Sequence, residues 1–175
     1  MTRMTTNLTE TLRHPGRRAL NAAGALVCAG LLGFAWYLQL WVGLDPCPLC
    51  LLQRWVFYVM TVVFVLAALF PGSHRSGWLW AGTTGLLGAA GAAIAGRHVW
   101  LQGLPPEQVP ACGPDLHGML ENFGFGETLA MTLRGTGDCA VIDWSFLGLS
   151  IPGWALLWFV LLGLAGVLTN TLLPR

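Results

Sequence analysis

Four long stretches without a charged residue in their interiors dominate this chain and decide what it can fold into. They run from Ala19 to Leu44, from Trp55 to Ser73 with a start extending back toward Leu51, from Ser76 to Gly96, and from Trp144 to Pro174. About 20 apolar residues in a helix cross the hydrocarbon of a bilayer. A chain in hydrocarbon must satisfy its own backbone hydrogen bonds, so each stretch is read as a membrane-spanning α-helix. Only 10% of the 175 residues are charged, against about 25% in an ordinary soluble domain. So few charges cannot clothe a water-facing surface. Net charge is +1, and no basic face of the kind nucleic acid requires is present in the pattern. The expectation is an all-α membrane protein, a four-transmembrane-helix bundle with helices near 19–42, 50–70, 76–97 and 147–172 in a single domain.

Arginines orient the bundle. Arg3, Arg13, Arg17 and Arg18 precede the first span, Arg75 lies between the second and third, and Arg175 ends the chain, while Arg54, Arg97 and Arg134 fall on the other side. The positive-inside rule then places both termini inside. Loops 43–49 and 98–146 face out. The apolar part of the first span is too long for a signal peptide and no clear small-x-small site follows it, so it is expected to be a retained helix. In the long outer loop, Leu104 to Pro114 holds four prolines and should be irregular. Leu116, Met119, Leu120 and Phe123 then recur at helical spacing, which predicts a short amphipathic helix, lying on the membrane surface or packed on the mouth of the bundle.

Four of the five cysteines sit in these outer loops: Cys47 and Cys50 in the short one, Cys112 and Cys139 in the long one. An outward location is an oxidising one. Cys28 stands alone within the first span and reads as an inert small hydrophobe. Cys47-Pro48-Leu49-Cys50 opens a helix, with Pro48 suited to its first position and Cys47 near the N-cap. A helix N-terminus favours the thiolate, the form that attacks disulfides. Arg54 lies on the same helix face as Cys50, one turn on. It is either a snorkelling side chain or a cation that stabilises a thiolate or an anionic acceptor. His98, beside Arg97 at the end of the third span, falls at the same depth and is either structural or part of the same pocket. Cys112 and Cys139 read either as a structural staple or as a second redox pair that exchanges with the first. Four cysteines could also ligate zinc or an iron–sulfur cluster, but structural metal sites usually show two close pairs and only one is close here; the reading adopted has no metal.

With these residues in view, the chain resembles the disulfide bond formation protein B (DsbB) family of bacterial inner-membrane thiol–quinone oxidoreductases. The likeness is carried by Pro46-Cys47-Pro48-Leu49-Cys50-Leu51-Leu52-Gln53-Arg54-Trp55, Gly96-Arg97-His98-Val99-Trp100-Leu101-Gln102, Pro110-Ala111-Cys112-Gly113-Pro114, Gly137-Asp138-Cys139 and Phe146-Leu147-Gly148-Leu149-Ser150-Ile151-Pro152. It covers nearly the whole chain. The resemblance implies a multi-pass inner-membrane protein with cytoplasmic termini, periplasmic loops and contact with the lipid and quinone pool. It implies that Cys112 is attacked by a reduced thioredoxin-like periplasmic partner of the DsbA type and that Cys139 is its disulfide mate. Cys47 then exchanges with that pair, and Cys50 faces a quinone, ubiquinone or menaquinone. Arg54 and His98 become quinone-pocket residues. Gln53 stands where some family members carry an acidic residue. Two other classes remain in competition: a structural or assembly membrane protein whose disulfides brace its loops, and a metal-binding membrane protein. A vitamin K epoxide reductase-like enzyme is a nearer rival, but places its C-x-x-C late in the chain.

Overall fold

In a computed structural model, which describes residues 16–70, 74–111 and 116–173, the chain forms four long helices and a smaller helical segment at one end. Cys112, Gly113 and Pro114 lie outside the described residues, as do Arg3, Arg13 and Arg175 of the orienting charges. The long helices are α1 (Arg17–Leu40), α2 (Pro48–Leu69), α3 (His74–Gln102) and, last in the chain, α6 (Ile151–Leu172). All four are long and apolar enough to cross a membrane. Even the 22 residues of α2 extend about 33 Å at 1.5 Å per residue. The all-α, four-helix expectation holds.

The helices form a ring in which α1 adjoins α2, α2 adjoins α3, α3 adjoins α6, and α6 returns to α1 through a lighter contact. Ala25, Cys28 and Leu32 of α1, Phe57, Met60 and Phe64 of α2, Ala95 of α3, and Phe159 and Leu162 of α6 make the core. Cys28 is wholly buried within it. Large apolar side chains such as Leu26, Trp55, Leu79, Leu86 and Leu164 point outward, where a soluble protein would place polar groups. The backbones of α3 and α6 touch: a Cβ added to Gly88 would sit 2.7 Å from the Cα of Gly163. Small residues permit such approach, and polar side chains then add hydrogen bonds between helices. Buried Asn21 and Asn170 do this, donating to one another at 3.1 and 3.0 Å and tying α1 to α6 at the end of the bundle away from Cys47.

The helix ends depart from the sequence expectations for identifiable reasons. The first helix stops at Leu40, short of 42, where Gly43 in a left-handed conformation (φ 79°) turns the chain and lets the Leu44 amide bond the Leu38 carbonyl at 3.1 Å. The third runs past Arg97 to Gln102, since nothing before Gly103, Pro105 and Pro106 breaks it. The fourth begins at Ile151 rather than 147. Ser145–Phe146 and Leu149–Ser150 pair antiparallel around a two-residue turn. Leu147 (φ 51°) and Gly148 (φ 81°) are both left-handed there, the geometry of a tight hairpin. Leu147 is not one of the residues that usually mark a left-handed turn position, so the sequence carries little sign of it. Pro152 enters the first turn of α6, where it removes no helical hydrogen bond.

In the long loop, α4 (Leu116–Asn122) is followed at once by α5 (Phe125–Arg134). The two helices pack on each other, α5 also touches α2, Met119 is fully buried, and Thr128 donates to the Met119 carbonyl at 3.0 Å. The amphipathic helix expected at 116–123 therefore buries Met119 inside a helical pair. Arg97 donates to the carbonyl of Arg134 at 2.7 Å, closing the last turn of α5.

Candidate redox site

Three segments bring the site together. The first is the start of α2. Cys47 takes the N-cap position with extended backbone (φ −64°, ψ 163°) and Pro48 follows in the first turn. The Leu51 amide returns to the Cys47 carbonyl at 3.1 Å, closing the first helical turn. Cys50 thus stands at the third helical position, among the free N–H groups of the helix start. The second segment is the last part of α3, which carries His98. The third is a 3₁₀ turn, Gly137–Ala140, seated against α2 and α3; it carries Cys139, which packs with Leu49 and Leu101 in a small apolar cluster that Cys47 borders.

Cys47 is the centre of this arrangement. Its sulfur lies 3.7 Å from Nε2 of His98 and within 4.8 Å of the Cys50 sulfur, and it borders the cluster that holds Cys139. His98 is almost fully buried, and its other ring nitrogen is 3.1 Å from the Gln53 amide. That bond fixes the imidazole plane and so presents Nε2 to the sulfur; which atom of the pair carries the hydrogen follows from the tautomer. Cys139 is inaccessible to solvent, and Thr136 lies 3.7 Å from its sulfur. Its hydrogen bond to Cys47, helped by burial, holds the Cys139 thiol well above the ordinary thiol range.

Cys47 and Cys50 open on a cavity of about 510 Å³ between α1, α2 and α6. Leu31, Leu38, Phe57, Trp144, Trp154 and Trp158 supply apolar wall, while Gln53, Arg54, His98 and Gln102 supply the polar points. A mostly apolar cavity of this size with a few convergent polar groups suits a small organic ligand. Arg54 is not a free snorkelling cation. It donates to the side chain of Gln39 and, at 3.0 Å, to the carbonyl of Ala35, and it lies over the ring of Trp36. The guanidinium is thereby pinned to α1 at the cavity wall, with donors to spare.

Of the residues singled out from the sequence, the fold brings Cys47, Cys50, Arg54 and His98 to one end and one cavity, with Cys139 beside them in the buried cluster that Cys47 borders. Cys112 lies outside the described residues, but the neighbouring Ala111 accepts a hydrogen bond from the Gly137 amide at 3.2 Å. That bond sets the stretch leading to Cys112 alongside the one leading to Cys139.

The sequence model described as Disulfide bond formation protein DsbB matches residues 17–169. The chain belongs to the DsbB family. Among relatives named Disulfide bond formation protein B, that of Methylococcus capsulatus is 49% identical over 153 residues, covering 85% of this chain and 91% of the relative. That of Hahella chejuensis is 51% identical over 135 residues, covering 77% and 82%. The Xylella fastidiosa protein is 45% identical over 154 residues, covering 87% and 89%. No solved structure gives a significant match.

Within this DsbB-family chain, sequence reasoning missed Gln39 and Ala35 around Arg54 and Thr136 beside Cys139, and it noted Gln53 as a variable position of the family without setting it behind His98. Gln39 and Gln53 carried a usable signal, since each is an amide in the apolar turn of a span nearest the cysteine loop. Thr136 carried none.

Proposed function

We propose that the chain is a protein-thiol:quinone oxidoreductase of the bacterial inner membrane that sustains disulfide bond formation by oxidising a periplasmic, DsbA-type dithiol protein. The observation that carries this reading is the placement of Cys47, whose sulfur lies within 4.8 Å of that of Cys50, beside the cluster that holds Cys139 and at an apolar cavity. The two thiols of the partner attack the Cys112–Cys139 disulfide; the partner leaves with a new disulfide, and Cys112 and Cys139 become thiols. That pair in turn reduces the Cys47–Cys50 disulfide and is itself restored. Each exchange needs a thiolate as nucleophile and moves two electrons. His98, held by Gln53 with Nε2 toward Cys47, is placed to donate to the Cys47 sulfur and steady its thiolate.

The cavity fits a quinone by its donor set: apolar walls for the ring and tail, a pinned guanidinium for developing negative charge, and Cys50 at the rim. A quinone there supplies a two-electron, two-proton sink already dissolved in the bilayer. Arg54 stabilises negative charge where screening by water is weak, and Trp144, Trp154 and Trp158 limit water entry. In this reading both termini are cytoplasmic and the cysteine end is periplasmic, as the arginine distribution indicates. The test is quinone reduction driven by a reduced DsbA-type protein in the purified chain: Cys50→Ser should abolish it, and turnover at the wild-type rate in that variant would overturn the route.

A further inference from the structure

We infer that, in its dithiol state, the site is a metal site for a thiophilic d¹⁰ cation such as zinc, held by Cys47, Cys50 and His98. The two sulfurs and an imidazole nitrogen lie within 4.8 Å of one another, and the Cys47–His98 separation is 3.7 Å. In tetrahedral zinc centres, bond lengths of about 2.3 Å to sulfur and 2.0–2.1 Å to nitrogen set ligand separations of about 3.8 Å between sulfurs and about 3.6 Å between sulfur and nitrogen. Closing onto an ion therefore asks for side-chain shifts of about 1 Å or less. The contact of Nδ1 with the Gln53 amide holds the His98 ring with Nε2 facing Cys47; turning that amide over, so that its oxygen accepts from Nδ1–H, frees the Nε2 lone pair for an ion. Cys47 and Cys50 are both partly accessible and border the cavity, so an ion has an entry path and its fourth position faces the cavity. The helix start beneath Cys50 favours the thiolates that coordination requires.

Sequence spacing conceals this site because its third ligand is a histidine 48 residues beyond Cys50 in the chain. Binding releases the two thiol protons and leaves both sulfurs coordinated, so the ion exists only while Cys47 and Cys50 are reduced, and it blocks their reoxidation until it is withdrawn. The inference rests on the proposed redox cycle only in that the cycle makes the dithiol; coordination itself can be read without any turnover.

The experiment uses the full chain in detergent, reduced with a phosphine and desalted without oxygen, titrated with Co²⁺ and then Zn²⁺. Wild type should take up one equivalent of Co²⁺ with the intense thiolate charge-transfer and tetrahedral ligand-field bands, and Zn²⁺ should displace it. Cys28→Ser and the pair Cys112→Ser/Cys139→Ser should keep the bands. Cys47→Ser, Cys50→Ser and His98→Ala should weaken binding at least tenfold, and the oxidised protein should show none. As a readout that needs no variant, Zn²⁺ should protect Cys47 and Cys50 of the wild type from alkylation, as located by mass spectrometry. Absent bands, bands surviving in Cys50→Ser or in oxidised protein, their loss in Cys112→Ser/Cys139→Ser, or unprotected Cys47 and Cys50 would each overturn the site. Loss of the bands with quinone reduction intact removes the metal site alone; bands without quinone reduction remove the redox reading alone.

Discussion

Replacing Arg54 by Gln separates its bracing of α1 from the electrostatic role proposed for it. The bracing consists of two donated hydrogen bonds to α1, one to Gln39 and one to the Ala35 carbonyl. Hydrogen bonds from a charged group contribute about 1.5–3 kcal/mol when buried, but Arg54 and Gln39 are only partly buried, and the Gln39 amide can find water. The stability loss should therefore be small, about 1–2 kcal/mol in total. The electrostatic task is larger. Residues one helical turn apart stand about 6 Å from each other, and a unit charge at 6 Å contributes about 2.8 kcal/mol at an effective dielectric of about 20. If negative charge develops beside Cys50 during turnover, Arg54→Gln should lower kcat/KM for quinone reduction roughly 100-fold. Arg54→Lys keeps the charge but loses the fork that reaches both partners, and should fall between the two. The assay pairs quinone absorbance, driven by a reduced DsbA-type protein, with thermal unfolding of the same samples. A loss of turnover below threefold in Arg54→Gln, with a clear fall in Tm, would refute the electrostatic role and leave Arg54 as a brace.

Three further perturbations address the fold around the site. A thiol whose folded pKa is raised holds its proton more tightly in the folded chain. Cys139 should thus contribute stability in full below the ordinary thiol pKa of about 8.5 and lose it as pH rises beyond that value; the reduced wild type should lose Tm more steeply from pH 8 to 10 than Cys139→Ser, and parallel curves would argue against it. For Asn21 and Asn170, a double-mutant cycle with alanine should return a coupling of about 0.6–1.7 kcal/mol, with additive effects the contrary result. Gly88→Val should destabilise strongly because its Cβ would meet backbone at 2.7 Å, whereas Gly82→Ala, with nothing within 4 Å, should leave the unfolding temperature nearly unchanged.

The long helices were legible because a bilayer demands some 20 apolar residues in a row, a signal that needs no knowledge of tertiary contacts. What escaped detection depends on such contacts or on exceptions to simple patterning. Helix α5 turns Thr128 and Thr132 inward while Phe125 and Leu133 stay exposed, the reverse of the apolar-inside pattern by which a surface helix is recognised. The hairpin before α6 turns on two left-handed residues, one of them Leu147, a residue type that does not announce such a turn. At the site, the C-x-x-C and its position at a helix start could be read directly, because Pro48 specifies the first turn. The contact of His98 with Cys47 could only be anticipated as a shared depth. The Gln53–His98 bond spans 45 positions and exists only because α2 and α3 lie side by side.

The bundle is built unequally along its length, and that inequality makes the site possible. Toward the far end, Asn21 and Asn170 clamp α1 to α6, and midway the Gly88–Gly163 contact brings α3 and α6 to backbone distance. At the cysteine end α1 and α6 part around the cavity, and the gap is spanned by aromatic side chains, with Phe34 of α1 edge-on to Trp144 from the stretch preceding the hairpin. A uniformly tight bundle would bury Cys50 against apolar neighbours, which raises a thiol pKa and silences it. A uniformly loose one would not hold the Gln53 amide at 3.1 Å from His98 or His98 at 3.7 Å from Cys47. Tight packing at a distance therefore carries the cost of an opening at one end, and the opening lies where the helix start, the histidine and three sulfurs converge. The convergence that suits the proposed disulfide exchange also makes the dithiol a ready ligand set for a soft cation, so both proposals rest on one geometry.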